Sequence, residues 1–140
     1  MIRASSSSDT YAYKDTIYRD KIISLTFHNS IDIPDDAIAY WDVSADNNRG
    51  VMAYVMENED DDTKYDLYIE ANGQTYSNTN SSYLFANLKS IDTISNMDYL
   101  NTSLTINMSH MFSGCSGLLQ LPDDLLPAKT LVNSCYSEMF

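Results

Sequence analysis

The segment Asn107-Met-Ser-His-Met-Phe-Ser-Gly-Cys-Ser-Gly-Leu118 is the strongest indication of the fold, because parts of it recur elsewhere in the chain. A shorter copy, SSYLF, ends at Phe85, and another, SEMF, ends at Phe140. The phenylalanines of the three copies, Phe85, Phe112 and Phe140, are therefore spaced by 27 and 28 residues. This near-constant spacing indicates an internal repeat.

Apolar residues follow the first two of these phenylalanines at every third position. Repeats of about 20–29 residues with such closely spaced Leu-type positions are typical of leucine-rich solenoids, in which stacked coils bury the apolar edge that one coil leaves exposed. We therefore predict a solenoid of about two coils. Its predicted core consists of Phe85, Leu88, Ile91, Ile94, Phe112, Cys115, Leu118, Leu121 and Phe140.

Short segments rich in β-branched and aromatic residues precede the repeats and predict β-strands. The predicted strands cover residues 22–27, 38–43, 51–56, 65–70 and 74–77. Turn residues separate them, and Asn72-Gly73 is the strongest hairpin signal in the chain. We therefore predict an antiparallel β-meander over residues 22–77, whereas Tyr11 to Lys21 is compatible with either a short helix or a turn.

The chain is thus predicted to be mainly β with short helical turns, in three parts. Residues 1–10 form a flexible lead-in, residues 11–80 a β-rich N-terminal capping unit, and residues 81–140 leucine-rich repeats that stop within the third copy. The capping unit covers the hydrophobic end of the first coil. We expect no such cover after Phe140, and hence either marginal stability or self-association through the uncapped C-terminal end.

The stretch from Asn107 to Leu118 resembles the repeat of the BspA-like leucine-rich-repeat surface proteins of bacteria, which typically reads N-M-S-x-M-F-x-G-C-x-x-L. It matches that pattern at every fixed position. The segments Tyr40-Trp-Asp-Val-Ser44 and Tyr65-Asp-Leu-Tyr-Ile69 are similar to the region that often precedes these repeats. The first copy departs from the pattern after Phe85, where Ala-Asn-Leu replaces x-Gly-Cys, which suits a coil that joins the meander.

The resemblance implies a longer bacterial protein, at the cell surface or secreted, with further repeats and with a signal and an anchor elsewhere. It implies a non-enzymatic role in adhesion or protein–protein interaction, with an extracellular protein or host matrix as partner. Two alternatives stay open. The segment is a purely structural cap or stalk, or it is a carbohydrate- or Ca²⁺-binding module.

Composition excludes several classes of function. The 140 residues carry a net charge of −12, of which the first 70 residues hold −9, so phosphates would repel the surface and we expect no nucleic-acid partner. No apolar run reaches the roughly 20 residues that a membrane span needs, so we expect no membrane insertion by this segment. Position 1 is Met, but no signal peptide follows it.

The sequence offers little catalytic or metal-binding chemistry. His28 and His110 are the only histidines, neither stands in a recognisable catalytic motif, and we interpret both as surface residues. The four glycines are too scattered for a phosphate-binding loop, and we expect neither an enzyme nor a cofactor. The acidic loop at residues 57–62 could bind Ca²⁺, but it lacks the EF-hand spacing, and we favour a solvated hairpin loop.

Three other residues allow two interpretations each. Cys115 and Cys135 could form a disulfide in an extracellular setting, but Cys115 occupies the position of Leu88, and we favour two buried thiols. Trp41 could stack on a sugar, but on an alternating strand we favour a core position.

Candidate ligand-facing residues are the polar side chains between the apolar positions of the repeats. They are Lys89, Ser90, Asp92, Ser116 and Gln120.

Overall fold

The computed structural model describes residues 10–119, which are mainly β and contain no α-helix. Two single-turn 3-10 helices, Arg19–Lys21 and Met97–Tyr99, are the helical turns that the sequence predicted. The strands are β1 (Tyr11–Tyr13), β2 (Ile17–Tyr18), β3 (Ile22–His28), β4 (Ala39–Asp42), β5 (Val51–Glu57), β6 (Tyr65–Ala71), β7 (Thr75–Tyr76), β8 (Thr93–Ser95) and β9 (Leu100–Asn101).

Five strands form an open central sheet in the order β4-β5-β6-β3-β8. The antiparallel meander predicted over residues 22–77 holds for β4, β5 and β6, but β3 lies parallel to both β6 and β8. In a meander β3 would be the edge strand. Its position between β6 and β8 instead buries Ile22, Leu25 and Phe27 completely. The connection from β3 to β4 therefore passes β6 and β5 and reaches the opposite edge of the sheet.

The hairpin predicted at Asn72-Gly73 is wrong. Gly73 has φ +96°, as a tight turn requires, but β6 does not pair with β7, and β7 pairs in parallel with β9. The turn is held instead by the segment after β3. The Gly73 N–H donates to the Asn29 carbonyl at 2.8 Å, and the Asn72 side chain accepts a bond from the Ile31 N–H at 3.3 Å.

Residues 11–21 form a small hairpin followed by a 3-10 turn, rather than a helix. β1 and β2 pair antiparallel, and Ala12 and Ile17 are buried. The Tyr13 ring stacks on Trp41 with 4.6 Å between ring centroids and 10° between planes. The hairpin thereby packs on the core face of the central sheet at β4, because Trp41 is itself buried.

One cluster of buried side chains includes residues from both the predicted capping unit and the predicted repeats. Phe27 of the sheet meets the edge of Phe85 with 6.2 Å between ring centroids, and Phe85 in turn stacks on Phe112. The apolar residues of the sheet and of the repeats are therefore buried in one common hydrophobic core. Among residues 10–119, no helix has the length and apolar character to cross a membrane.

Candidate functional site

Two segments, residues 80–91 and 107–118, lie side by side and form the centre of the candidate site. Four N–H groups of the first segment donate to four carbonyl groups of the second, each bond joining residues 26 positions apart at 2.8–3.2 Å. The donors are Ser81, Tyr83, Phe85 and Asn87, and the acceptors are Asn107, Ser109, Met111 and Ser113. An Asn80–Asn107 bridge marks the segments as parallel. We call them the paired segments.

The paired segments share their backbone conformation at an offset of 27 residues. Tyr83 and His110 both have left-handed φ, at 59° and 56°, and so do Asn87 and Gly114, at 63° and 78°. Asn and Gly adopt this conformation at the least steric cost, which gives a physical reason for the Gly of the repeat pattern.

The same offset relates two asparagine turns. The Asn80 side-chain oxygen accepts bonds from the N–H and hydroxyl of Ser82, and that of Asn107 accepts the matching two bonds from Ser109. The shared Asn-x-Ser pattern therefore has a local structural role, since each asparagine fixes the turn at the start of its segment.

Aromatic side chains stack between the segments at the same 27-residue offset. The rings of Phe85 and Phe112 lie 5.4 Å apart in the interior, and those of Tyr83 and His110 lie 4.7 Å apart and 2° from parallel. His110 is half-buried in this stack rather than exposed, which corrects its interpretation as a surface residue. Aromatic stacking therefore contributes to the packing of one paired segment against the other.

The predicted repeat core matches the observed burial in most positions. Phe85, Leu88, Ile91 and Phe112 are buried. Ile94, Cys115 and Leu118 are half-buried against the core, and Leu121 and Phe140 lie outside the described residues. The prediction missed Met108 and Met111, which are fully buried. Both are fixed positions of the repeat pattern, and that signal could have identified them.

Three predicted ligand-facing residues, Lys89, Ser90 and Ser116, meet at one end of the paired segments. The Ser116 hydroxyl donates to the Lys89 carbonyl at 3.4 Å. The Ser90 hydroxyl donates to the Asp20 carbonyl at 2.6 Å and accepts a bond from the Lys64 ammonium, so it joins the repeats to the β-unit. The remaining two candidates are Asp92, which is exposed, and Gln120, which lies outside the described residues.

Gly117 lies in close contact with the main chain of the neighbouring segment. Its N–H donates to the Lys89 carbonyl at 3.1 Å, and an added Cβ would lie 2.7 Å from the Ile91 carbonyl oxygen and 3.0 Å from that of Lys89. Both contacts are with main-chain atoms, which cannot rotate away. Gly117 occupies an unspecified position of the repeat pattern, so the pattern does not reveal this constraint.

We expect Gly117→Ala to lower the free energy of unfolding by about 2 kcal/mol, because the methyl group would push the paired segments apart. Urea unfolding measures the change. Gly50→Ala is the matched control, since its added Cβ would be closer than 3 Å only to the exposed Asn48 side chain, which can rotate away, and the loss should stay within about 0.5 kcal/mol. Equal losses in the two variants would contradict the close approach at Gly117.

Cys115 is a free thiol in the position that corresponds to Leu88. Its Sγ donates to the Phe85 carbonyl at 3.1 Å, and burial raises the pKa of the thiol to about 11. The thiol therefore stays protonated at neutral pH and acts as a small apolar group. Cys135 lies outside the described residues, so its predicted burial stays a prediction.

A second polar cluster, at Glu70, lies on the face of the central sheet opposite the core. Glu70 is only 1% exposed, and its carboxylate lies 2.7 Å from His28 Nδ1. It also accepts bonds from the Asp32 N–H at 2.7 Å and the Tyr54 hydroxyl at 3.3 Å. Burial and the Glu70 charge raise the pKa of Tyr54. The His28 side chain is 39% exposed, which agrees with its interpretation as a surface residue, and it is paired with Glu70.

These contacts give the Glu70 cluster a structural role. The Asp32 N–H belongs to the connection between β3 and β4, so the buried carboxylate fastens that connection to β6. Three donors satisfy a charge that would otherwise be costly to bury. Sequence reasoning missed this cluster, because Glu70 alternates along β6 with the apolar residues Leu67 and Ile69, a pattern typical of a solvent-facing position.

The acidic loop is organised by its own side chains. The Asn58 side chain accepts bonds from the N–H groups of Asp60 and Asp61, and its amide donates to Asp66. Bonds from the side chain and N–H of Thr63 lower the pKa of Asp61. Within residues 10–119, no group of three or more His, Cys, Asp or Glu side chains is placed to hold a metal ion.

Comparison with known proteins found no match to a family model, to a curated protein or to a solved structure.

Proposed function

We propose that the paired segments are the first coils of a BspA-like leucine-rich-repeat solenoid, and that the chain is a non-enzymatic, protein-binding part of a bacterial cell-surface protein. The observation that carries the proposal is the 27-residue offset. It recurs in the left-handed residues Tyr83 and His110, in the Asn80 and Asn107 turns and in the Phe85–Phe112 stack. A repeat of conformation as well as of sequence is expected of a solenoid.

The β-rich part acts in this proposal as the cap of the first coil. Support comes from the contacts across the junction, where the Arg19 guanidinium donates to the carbonyls of Ala86 and Leu84. Phe27 and Phe85 meet edge to face beside it. The cap thereby covers apolar surface that the first coil would otherwise expose.

A binding role is favoured over catalysis by how the polar groups are used. The His28 ring pairs with a buried carboxylate that also fastens a chain connection, and the His110 ring stacks within the repeat. The Cys115 thiol is protonated and bonded to a carbonyl. Within residues 10–119, His28, His110 and Cys115 each therefore have a structural role.

The proposed binding surface is the end of the paired segments that carries Lys89, Ser116 and Asp92. Lys89 and Ser116 are exposed on adjacent segments and Asp92 follows them, so a partner could contact donors and acceptors from both coils at once. Binding to repeat proteins accumulates from such side chains over successive coils.

Biolayer interferometry against fibronectin, fibrinogen, laminin and collagen tests the proposal. We expect saturable binding to at least one of them, and weakening of about tenfold when Lys89→Glu and Ser116→Arg are combined. Lys14→Glu makes the same charge change as Lys89→Glu outside the repeats and should leave the affinity unchanged. A folded chain that binds none of the four would favour the structural cap or stalk instead.

A further inference from the structure

Among residues 10–119, no second strand pairs with the outer strand of the central sheet, which leaves main-chain groups unpaired within that part of the chain. β4 is the last strand of the sheet and pairs with β5 alone within it. The Val43 N–H bonds the Val51 carbonyl at 3.0 Å, and the two strands pair in antiparallel register. Because bonding alternates along an antiparallel ladder, the N–H and C=O groups of Tyr40 and Asp42 point away from β5. We call this side of β4 the free edge.

A cleft of about 340 Å³ lies beside the free edge. Its lining combines apolar and charged side chains, namely Ile33, Pro34, Asp35, Ala37, Tyr40 and Arg49. Tyr40, Tyr54 and Tyr68 lie opposite one another on the neighbouring strands β4, β5 and β6. The rings of Tyr54 and Tyr68 stack with 4.8 Å between their centroids, whereas Tyr40 is 55% exposed. The row of tyrosines therefore ends in an aromatic ring that is open to a ligand at the free edge.

The surroundings of the free edge are acidic. Asp32, Asp35 and Asp36 lie on the connection that precedes β4, and Asp42 and Asp46 lie at its end, whereas Arg49 is the only base between residues 29 and 50. The Ser44 hydroxyl and N–H lower the pKa of Asp42, so this carboxylate is ionised at neutral pH. Two copies of this chain would place like charges against each other, which opposes edge-to-edge pairing.

We propose that the free edge of β4 and the adjoining cleft bind an extended segment of a basic partner protein, which adds a strand to the sheet. In this mode main-chain bonds supply affinity and a pocket for alternate side chains supplies selectivity. The segment would bond the main-chain groups of Tyr40 and Asp42. This surface is separate from the Lys89 end of the paired segments, so the inference does not depend on the proposed matrix binding.

Charge and shape determine which residues the segment carries. Arg49 and Asp35 both line the cleft, so the cleft favours neither sign of charge, and the side chain that enters it is apolar and packs on Tyr40 and Pro34. We expect Lys or Arg on either side of it, because the connection before β4 carries Asp36 and the loop after β4 carries Asp46. An alternating pattern of apolar and basic residues follows from these two requirements.

A displayed random heptapeptide library, selected against the folded chain, tests the proposal. We expect enrichment of peptides that alternate apolar with basic residues. Their affinity should fall about tenfold or more with Tyr40→Ala, which removes the ring of the cleft. Tyr76→Ala is the matched control, because Tyr76 is an equally exposed tyrosine, at 61%, on β7 and should leave the affinity unchanged.

Two further measurements separate this mode from others. Amide hydrogen exchange at Tyr40 and Asp42 should slow when a selected peptide binds, and Asp35→Lys with Asp36→Lys should weaken binding even if Tyr40→Ala disturbs the fold. Enrichment of acidic peptides, no enrichment, or binding that Tyr40→Ala leaves intact would overturn the proposal. A dimer in sedimentation velocity that Tyr40→Ala dissolves would assign the edge to a second copy and would also overturn it.

Discussion

Replacement of Phe85 by alanine is expected to lower the free energy of unfolding by about 3–5 kcal/mol. The side chain is only 1% exposed and joins the two halves of the core, with Phe27 on one side at 6.2 Å and Phe112 on the other at 5.4 Å. Its removal would leave a cavity at the junction of sheet and repeats. The loss of contacts on both sides adds to the loss of buried apolar area.

Urea unfolding, followed by the fluorescence of the single tryptophan, Trp41, measures this loss. Trp41 is buried in the same cluster as Phe85, so its signal reports on the unfolding of the shared core. Tyr76→Ala removes an exposed aromatic ring and should change stability by less than about 0.5 kcal/mol. A loss below about 1.5 kcal/mol for Phe85→Ala would show that the two halves do not depend on each other.

Replacement of Arg19 by methionine is expected to cost about 3 kcal/mol. Arg19 is 1% exposed, and its guanidinium reaches across the junction to two main-chain carbonyls, those of Ala86 at 2.6 Å and Leu84 at 3.3 Å. Methionine fills similar space but donates no hydrogen bond, so both acceptors would lose a charged donor in the interior.

Thermal and urea unfolding of Arg19→Met measure this cost, with Lys89→Met as the control because that cation is exposed. Arg19→Lys should recover only part of the stability, since an ammonium lacks the planar fork that reaches both carbonyls. Buried charges can be replaced by apolar groups without loss when their partners are also removed. The two carbonyls that accept bonds from Arg19 belong to the main chain and remain in the variant. Unchanged stability would therefore refute the assigned role of Arg19.

The sequence predicted where the strands lie better than how they pair. β3, β5 and β6 fall within a residue of their predicted ranges, because β-branched and aromatic residues favour extended backbone locally. The parallel pairing of β3 with β6 joins residues about 40 positions apart, and no local signal specifies it. Asn72-Gly73 made the tight turn that its residues favour, but the chain after it pairs elsewhere.

The residues of the candidate site were likewise predicted only in part. The spacing of Phe85 and Phe112 predicted the repeat and four of its buried positions, because periodic burial leaves a periodic sequence. Arg19 and Glu70 were missed, since a charged residue that is buried looks the same in sequence as one in solvent. Their partners are main-chain carbonyls in one case and distant side chains in the other, and only the assembled fold brings these together.

The direction of the ladder between the paired segments has a consequence for how the chain is made. Its four bonds run from N–H groups of the earlier copy to carbonyls of the later one, and β3 and β6 are both complete by residue 71. During synthesis, the N-terminal part leaves the ribosome first. The last acceptor of the ladder belongs to Ser113, so the ladder can be completed only after that residue has left the ribosome.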